Sequence, residues 1–187
     1  IGNFVYLTSG MGEVVCIDTK NKKELWRVDA CRKFNCEHGK WGIAESPLIV
    51  DDKVIFTPAG NETTVVAIDR MTGETIWKSR SLNDVGAYVS PVYISVGGSK
   101  QIISVTGNYI IGILAETGEI VWHYDYGKLE PTGRRPVNNT NTPVYSNNTI
   151  FVTSGYDHVG VSLKLDNDGS SVSLNWKNES LDPHHGG

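Results

Sequence analysis

Residues 36–47 read CEHGKWGIAESP and bring a thiol, two carboxylates, an imidazole, an ammonium and an indole into one short stretch. Glu37, His38, Trp41 and Glu45 are the types that hold a ligand, the first two and Glu45 by hydrogen bonds and the indole by stacking. Filling of a large loop that must bury something is the plainer alternative. Cys31 lies five residues before Cys36, near enough to close a disulfide, although spacing alone leaves the redox state open. His38 makes a metal site the competing reading, and no second pair of ligands follows at zinc spacing. Cys16, inside EVVCID, reads as a small buried hydrophobe. Further along, Arg134 and Arg135 stand together in GKLEPTGRRPVNN and suit an acidic ligand, with a solvated loop as the default. Asp157 and His158 in SGYDHVG either face a channel or make a hairpin turn. His184 and His185 are adjacent, so their side chains diverge, and no third ligand is evident.

These residues must be carried by something, and the composition narrows what. The 187 residues carry a net charge of −4 with lysine and arginine scattered, so no basic stripe points to nucleic acid. No apolar run approaches the roughly 18 residues of a membrane span, and no secretory leader pattern opens the chain. The chain starts at Ile1, inside a strand pattern, as expected of a piece of a longer protein.

Internal repetition is the strongest signal. Residues 67–77 read AIDRMTGETIW and residues 112–122 read GILAETGEIVW. Trp26, Trp77, Trp122 and Trp176 close four similar stretches, 51, 45 and 54 residues apart. Three of those stretches open on an equivalent proline, Pro47, Pro91 and Pro143, where a missing amide donor at a strand start costs least. In the second unit two short runs of valine, isoleucine and phenylalanine flank Asp51-Asp52, and a third and fourth run flank Arg70-Met71-Thr72-Gly73, which predicts a four-stranded antiparallel meander. No 3.6-residue apolar period lasts long enough to predict a helix, and Cys31 to Cys36 is read as loop. Asp18, Asp51, Asp52 and Asp69 fall at turns and are expected to cap local backbone.

A four-stranded meander at this period predicts an all-β propeller, since one such sheet cannot bury both faces alone. The units are expected at about 1–30, 45–80, 89–126 and 141–178, with 179–187 starting another. Ala67, Asp69, Thr72, Gly73 and Trp77 make A-x-D-x-x-T-G-x-x-x-W, which resembles the repeat of the pyrroloquinoline-quinone enzyme family. Gly112, Thr117, Gly118 and Trp122 keep the pattern with Leu114 in place of the aspartate. Trp26 and Trp176 close looser copies: KNKK replaces threonine-glycine in the first, and extra residues precede Trp176 in the fourth. The resemblance implies that each tryptophan lies against the small residue and turn glycine of an adjacent blade. It also implies rings of seven or eight blades, of which this chain, lacking the first strand of its first unit, would be a partial arc of about four.

An open arc is expected to meet the remaining blades of its parent or to self-associate through its uncovered faces. In the enzymes of this family the quinone and a calcium ion sit over the ring centre on carboxylate and asparagine ligands, often beside a vicinal cysteine disulfide. This chain has no adjacent cysteines, so no cofactor is expected in it, while a longer parent could bind the quinone with calcium. The same repeat without quinone ligands resembles the lipoprotein propeller that assists outer-membrane protein assembly, whose loops recruit partners. The expectation is therefore a scaffold for a protein or small-molecule ligand, periplasmic or extracellular by family analogy, with no catalysis of its own. Part of a quinone-dependent alcohol dehydrogenase is the alternative.

Overall fold

The computed structural model describes residues 1–130 and 138–184. Among these residues the chain forms consecutive antiparallel meanders. The first sheet has three strands, β1 (Phe4–Thr8), β2 (Glu13–Asp18) and β3 (Lys23–Asp29). The second holds β4 (Leu48–Val50), β5 (Lys53–Phe56), β6 (Val66–Asp69) and β7 (Thr75–Lys78). The third comprises β8 (Val92–Val96), β9 (Ser99–Val105), β10 (Tyr109–Leu114) and β11 (Ile120–Asp125). The fourth comprises β12 (Val144–Ser146), β13 (Thr149–Val152), β14 (Gly160–Leu165) and β15 (Val172–Asn178).

Turn chemistry explains the reversals. Asp69 accepts from the amides of Met71 and Thr72 at 2.8 Å each, and Gly73 then takes φ +76°, where a side chain is strained. Partial burial acts to raise the Asp69 carboxyl, but those amides and the Thr72 hydroxyl outweigh it and hold it low. Asp18 does the same work in the first sheet, accepting from Lys20 and Asn21, and there Lys22 adopts the left-handed conformation at φ +54°. The last two strands of every sheet carry a register shift at one equivalent place, after Cys16, Ala67, Gly112 and Ser162. Each of these small residues pairs directly with its tryptophan, Trp26, Trp77, Trp122 and Trp176 respectively. A bulge re-aims the side chain beside it, and a small partner leaves room for the indole.

The core lies between the sheets, in three apolar clusters. One joins Val14, Cys16 and Trp26 of the first sheet to Val54, Phe56, Val66 and Ile68 of the second. Another joins Ile55, Ala67 and Trp77 to Ile102, Ile111 and Ile113. The third joins Ile103, Ile110 and Trp122 to Ile150, Val161 and Leu163. Strict alternation sends successive residues of each middle strand to opposite neighbours, which is why these strands read as near-continuous apolar runs.

One expectation is corrected. Residues Ala30–Phe34 form a short helix, α1, so Cys31 is helical rather than in a loop. Asp29 caps it by accepting from the Arg32 amide, and Asn35 ends it at φ +51°. Five residues are too few to display a helical period in sequence.

Candidate functional site

The connections that lead from the last strand of one sheet to the first strand of the next gather with the β5–β6 and β9–β10 loops at one end of the sheets. Cys31 and Cys36 are joined by a disulfide. It ties α1 to the start of the connection, and Gly12 lies so close that a Cβ there would sit 2.2 Å from the Cys31 sulfur. From Cys36 onward the backbone is pinned on both sides. Glu37 donates its amide to the Pro58 carbonyl at 3.2 Å and accepts from the Gly86 amide at 2.6 Å. Ile43 donates to the Gly10 carbonyl at 3.0 Å.

Between these anchors Trp41 is presented to solvent with 57% of its surface exposed. Its ring meets Tyr88 of the next connection at 6.0 Å and 58°, and the Lys40 ammonium lies 5.9 Å from its centroid. The Tyr88 hydroxyl fits over Gly39, where a Cβ would stand 2.2 Å away. His38 is exposed and its Nδ1 lies 2.9 Å from the Gly39 carbonyl.

Beside this aromatic pair a cleft of about 360 Å³ is lined by Glu37, Gly60, Asn61, Asn83, Asp84, Val85 and Asn108. Asp84 is buried and its carboxylate is already committed: it accepts from the Thr106 hydroxyl at 2.6 Å and from the backbone and side-chain nitrogens of Asn108 at 2.8 and 2.6 Å. Among the described residues Glu37 is the one expected ligand residue that lines this cleft. Sequence reading missed Asp84, Asn61, Asn83, Asn108 and Tyr88, because they come from three separate connections with no shared motif. The Asn83-Asp84 pair between a tryptophan run and Pro91 is the only local hint.

Glu45 does not belong to this surface. It is buried, with 5% exposure, and its Oε2 accepts from the Thr57 amide at 3.1 Å while Oε1 has no hydrogen-bond partner among the described residues. Burial pushes its carboxyl up to about 8, against the pull of the Thr57 hydroxyl and amide. The equivalent positions show three solutions to one packing problem. Asn141 donates to the Thr153 hydroxyl at 2.9 Å, and Val89 with Val105 fills the space in the third sheet without polarity. His158 is also buried, with Nε2 3.0 Å from the Tyr126 carbonyl and its ring 4.4 Å from that tyrosine. Asp157 sits at φ +64° in the adjoining turn. Arg134, Arg135 and His185 lie outside the described residues.

The repeat residues form a second set of contacts between sheets. Trp26 rests over Gly73 and donates Nε1 to the Arg70 carbonyl at 3.0 Å. Trp77 rests over Gly118 and donates to the Ala115 carbonyl at 3.2 Å. Thr72 and Thr117 shape the same two turns, each hydroxyl accepting the amide two residues on. Trp122 differs. It folds over Gly112 of its own sheet, and its Nε1 donates to the Gln101 side chain at 3.1 Å; Gln101 in turn donates to the Gly169 carbonyl of the fourth sheet at 2.8 Å. Glycine at 112, where the second sheet has alanine, opens the space that the indole takes. Trp176 is 45% exposed beside Phe151.

Among the described residues no three His, Cys, Asp or Glu side chains converge to hold a metal, and the buried Asp84 carboxylate is consumed by three protein donors. Cys31 and Cys36 are not vicinal, and no helix among the described residues is long and apolar enough to cross a membrane.

Successive antiparallel meanders packed face to face, with the same bulge and indole in each, define a β-propeller repeat protein, here a partial one. Over residues 2–186 the chain matches the family described as outer membrane protein assembly factor BamB, and it belongs to that family. A protein of that name from Kangiella koreensis is 24% identical over 162 residues, covering 85% of this chain and 34% of the relative. The chain thus spans about a third of the length of that curated relative. Among solved structures, BamB from Moraxella catarrhalis superposes with a TM-score of 0.59 at 15% identity, covering 97% of this chain and 62% of that one. Quinohemoprotein alcohol dehydrogenase from Comamonas testosteroni gives 0.64 at 17% identity, covering 96% and 34%. Identities this low carry the fold alone.

Proposed function

We propose that this chain is a non-catalytic binding scaffold that contributes to outer-membrane protein assembly by holding a protein partner on the loop end of its sheets. The observation that carries this reading is the exposed Trp41, backed by Tyr88 and held on a connection anchored at both ends. A rigid, amphipathic aromatic pair with a polar cleft at its side is the composition of a binding hot spot. The names of the relatives point the same way. Periplasmic placement is part of the proposal: a disulfide is expected in an oxidising compartment, and Cys31–Cys36 is one. In the longer parent the arc's uncovered faces would meet further blades, and tryptophan seating on turn glycines would be the fastening.

The test is a photo-crosslinker placed at residue 41 of the intact parent in its own envelope. Crosslinking to a component of the outer-membrane assembly machinery, lost when Tyr88 is changed to alanine, is the expected result. No adduct, together with saturable pyrroloquinoline-quinone and calcium binding and dye-linked alcohol oxidation, would replace the scaffold with a dehydrogenase.

A further inference from the structure

The cleft beside Trp41 has an unbalanced charge. Among the described residues that line it, Glu37 and Asp84 are acidic and none is basic. All of its lining residues fall between positions 37 and 108, so both walls belong to junctions inside the chain. Asp84 is 7% exposed, and the groups that donate to it, the Thr106 hydroxyl and the two nitrogens of Asn108, are uncharged. Those hydrogen bonds satisfy its oxygens but leave its charge uncompensated, and a charge in so little water acts strongly on whatever enters beside it.

Glu37 is different. It is exposed, and among the described residues its carboxylate makes no ion pair and no hydrogen bond. Its backbone is nonetheless fixed on both sides, by Pro58 and by Gly86, so the carboxylate is carried on a rigid support. Glu62, next in sequence to the lining Asn61, is exposed too and adds to the same field. The ammoniums on either side in sequence are turned to aromatic rings instead: Lys33 lies 5.3 Å from the Phe34 centroid and Lys40 lies 5.9 Å from that of Trp41. Asn83, exposed at φ +51°, brings a carboxamide that has no hydrogen bond among the described residues.

We propose that this cleft receives an arginine side chain of the protein partner, with Glu37 as its carboxylate and the Asn83 carboxamide as a further acceptor. For the partner, this rests on the scaffold reading given above. A guanidinium suits the acceptors better than an ammonium does. It spreads five N–H donors in one plane, so it can give a forked pair to the carboxylate and still reach an amide oxygen. It is also more weakly hydrated, so less is lost when it leaves water for the neighbourhood of Asp84.

The probes are acetyl-Gly-Arg-Gly-amide and its lysine and citrulline counterparts, the last of which keeps the shape of arginine without its charge. Titration of each into the chain, followed by nitrogen-15 correlation spectra, should show saturable shifts of the Glu37 backbone amide and the Asn83 side-chain amide. Arginine should bind about fivefold or more tighter than lysine or citrulline, and E37Q should remove that advantage. The remaining amide signals verify that E37Q is folded. No saturable shift with the arginine peptide, equal binding of all three peptides, or arginine binding that E37Q leaves unchanged would overturn the proposal. In the intact parent, crosslinking from residue 41 should fall about fivefold or more in E37K. Undiminished crosslinking in E37K would overturn the arginine contact and leave the scaffold reading standing. No adduct even without the substitution, beside arginine binding that depends on Glu37, would sink the scaffold reading and support the chemistry of the cleft.

Discussion

At Glu45 a single side chain sets a pH dependence. Its carboxyl is neutral in the folded protein up to about pH 8, while in the unfolded chain it ionises near its ordinary value of 4.5. Between those values the unfolded state gains from releasing a proton that the folded state retains. The contribution to stability is therefore whole below about pH 4.5, falls as pH rises, and is spent by about pH 8. The slope approaches 1.4 kcal/mol per pH unit across this window. E45Q keeps the shape and an acceptor for the Thr57 amide but cannot ionise. Urea denaturation at pH 5 and pH 8 should show wild type losing stability relative to E45Q by a few kcal/mol over that interval. Parallel pH profiles for the two proteins would mean that Glu45 reaches solvent. Nothing in AESP identifies this residue as buried. Its environment comes from Thr57, twelve positions away, and a sequence that reads glutamate in a polar stretch points to the surface.

At the scale of the element, the strand-turn-strand unit explains why alanine or glycine, aspartate, glycine and tryptophan travel together. The aspartate shapes the turn, the glycine takes its left-handed corner, the bulge swings the tryptophan outward, and the small residue opposite gives it room. G118A tests the junction between elements. Its new methyl would lie 2.4 Å from the Trp77 ring at a backbone φ of +78°, so it should destabilise by about 1–3 kcal/mol. Part of that cost is backbone strain and part is the clash, and a cycle with W77A separates them. The cost of G118A should shrink measurably when Trp77 is already alanine. Additive effects would show that the indole does not rest on this turn. These turns were legible because a turn needs particular residue types at fixed spacing. Helix α1 was not, since its caps, Asp29 and Asn35, also suit a loop, and the disulfide that follows it was one of two readings that the cysteine spacing allowed.

For the whole molecule, the order of the sheets divides five tryptophans into two populations. Trp26, Trp77 and Trp122 are between 6% and 8% exposed because a neighbouring sheet or an adjacent strand of the indole's own sheet covers each, whereas Trp41 and Trp176 are 57% and 45% exposed. Iodide quenching of the native chain should give a curved Stern–Volmer plot with an accessible fraction carried by two indoles. W41F combined with W176F should leave fluorescence that iodide scarcely touches until denaturant is added. Uniform quenching of all five would mean that the sheets do not stack.

The residues that recur, prolines ahead of strands, glycines at reversals and a tryptophan in the last strand of each unit, determined the meander, its repetition and the need for face-to-face burial. They do so because each answers to backbone sterics and short-range pairing, which are written in neighbouring positions. Only the tertiary structure decided which side chains share a space: that Glu45 lies inside, that Trp41 backs onto Tyr88 beside the Glu37 and Asp84 cleft, and that Gln101 replaces an indole at the third junction. Those pairings join residues up to 68 positions apart, and their energies depend on distance in space, to which order along the chain is blind.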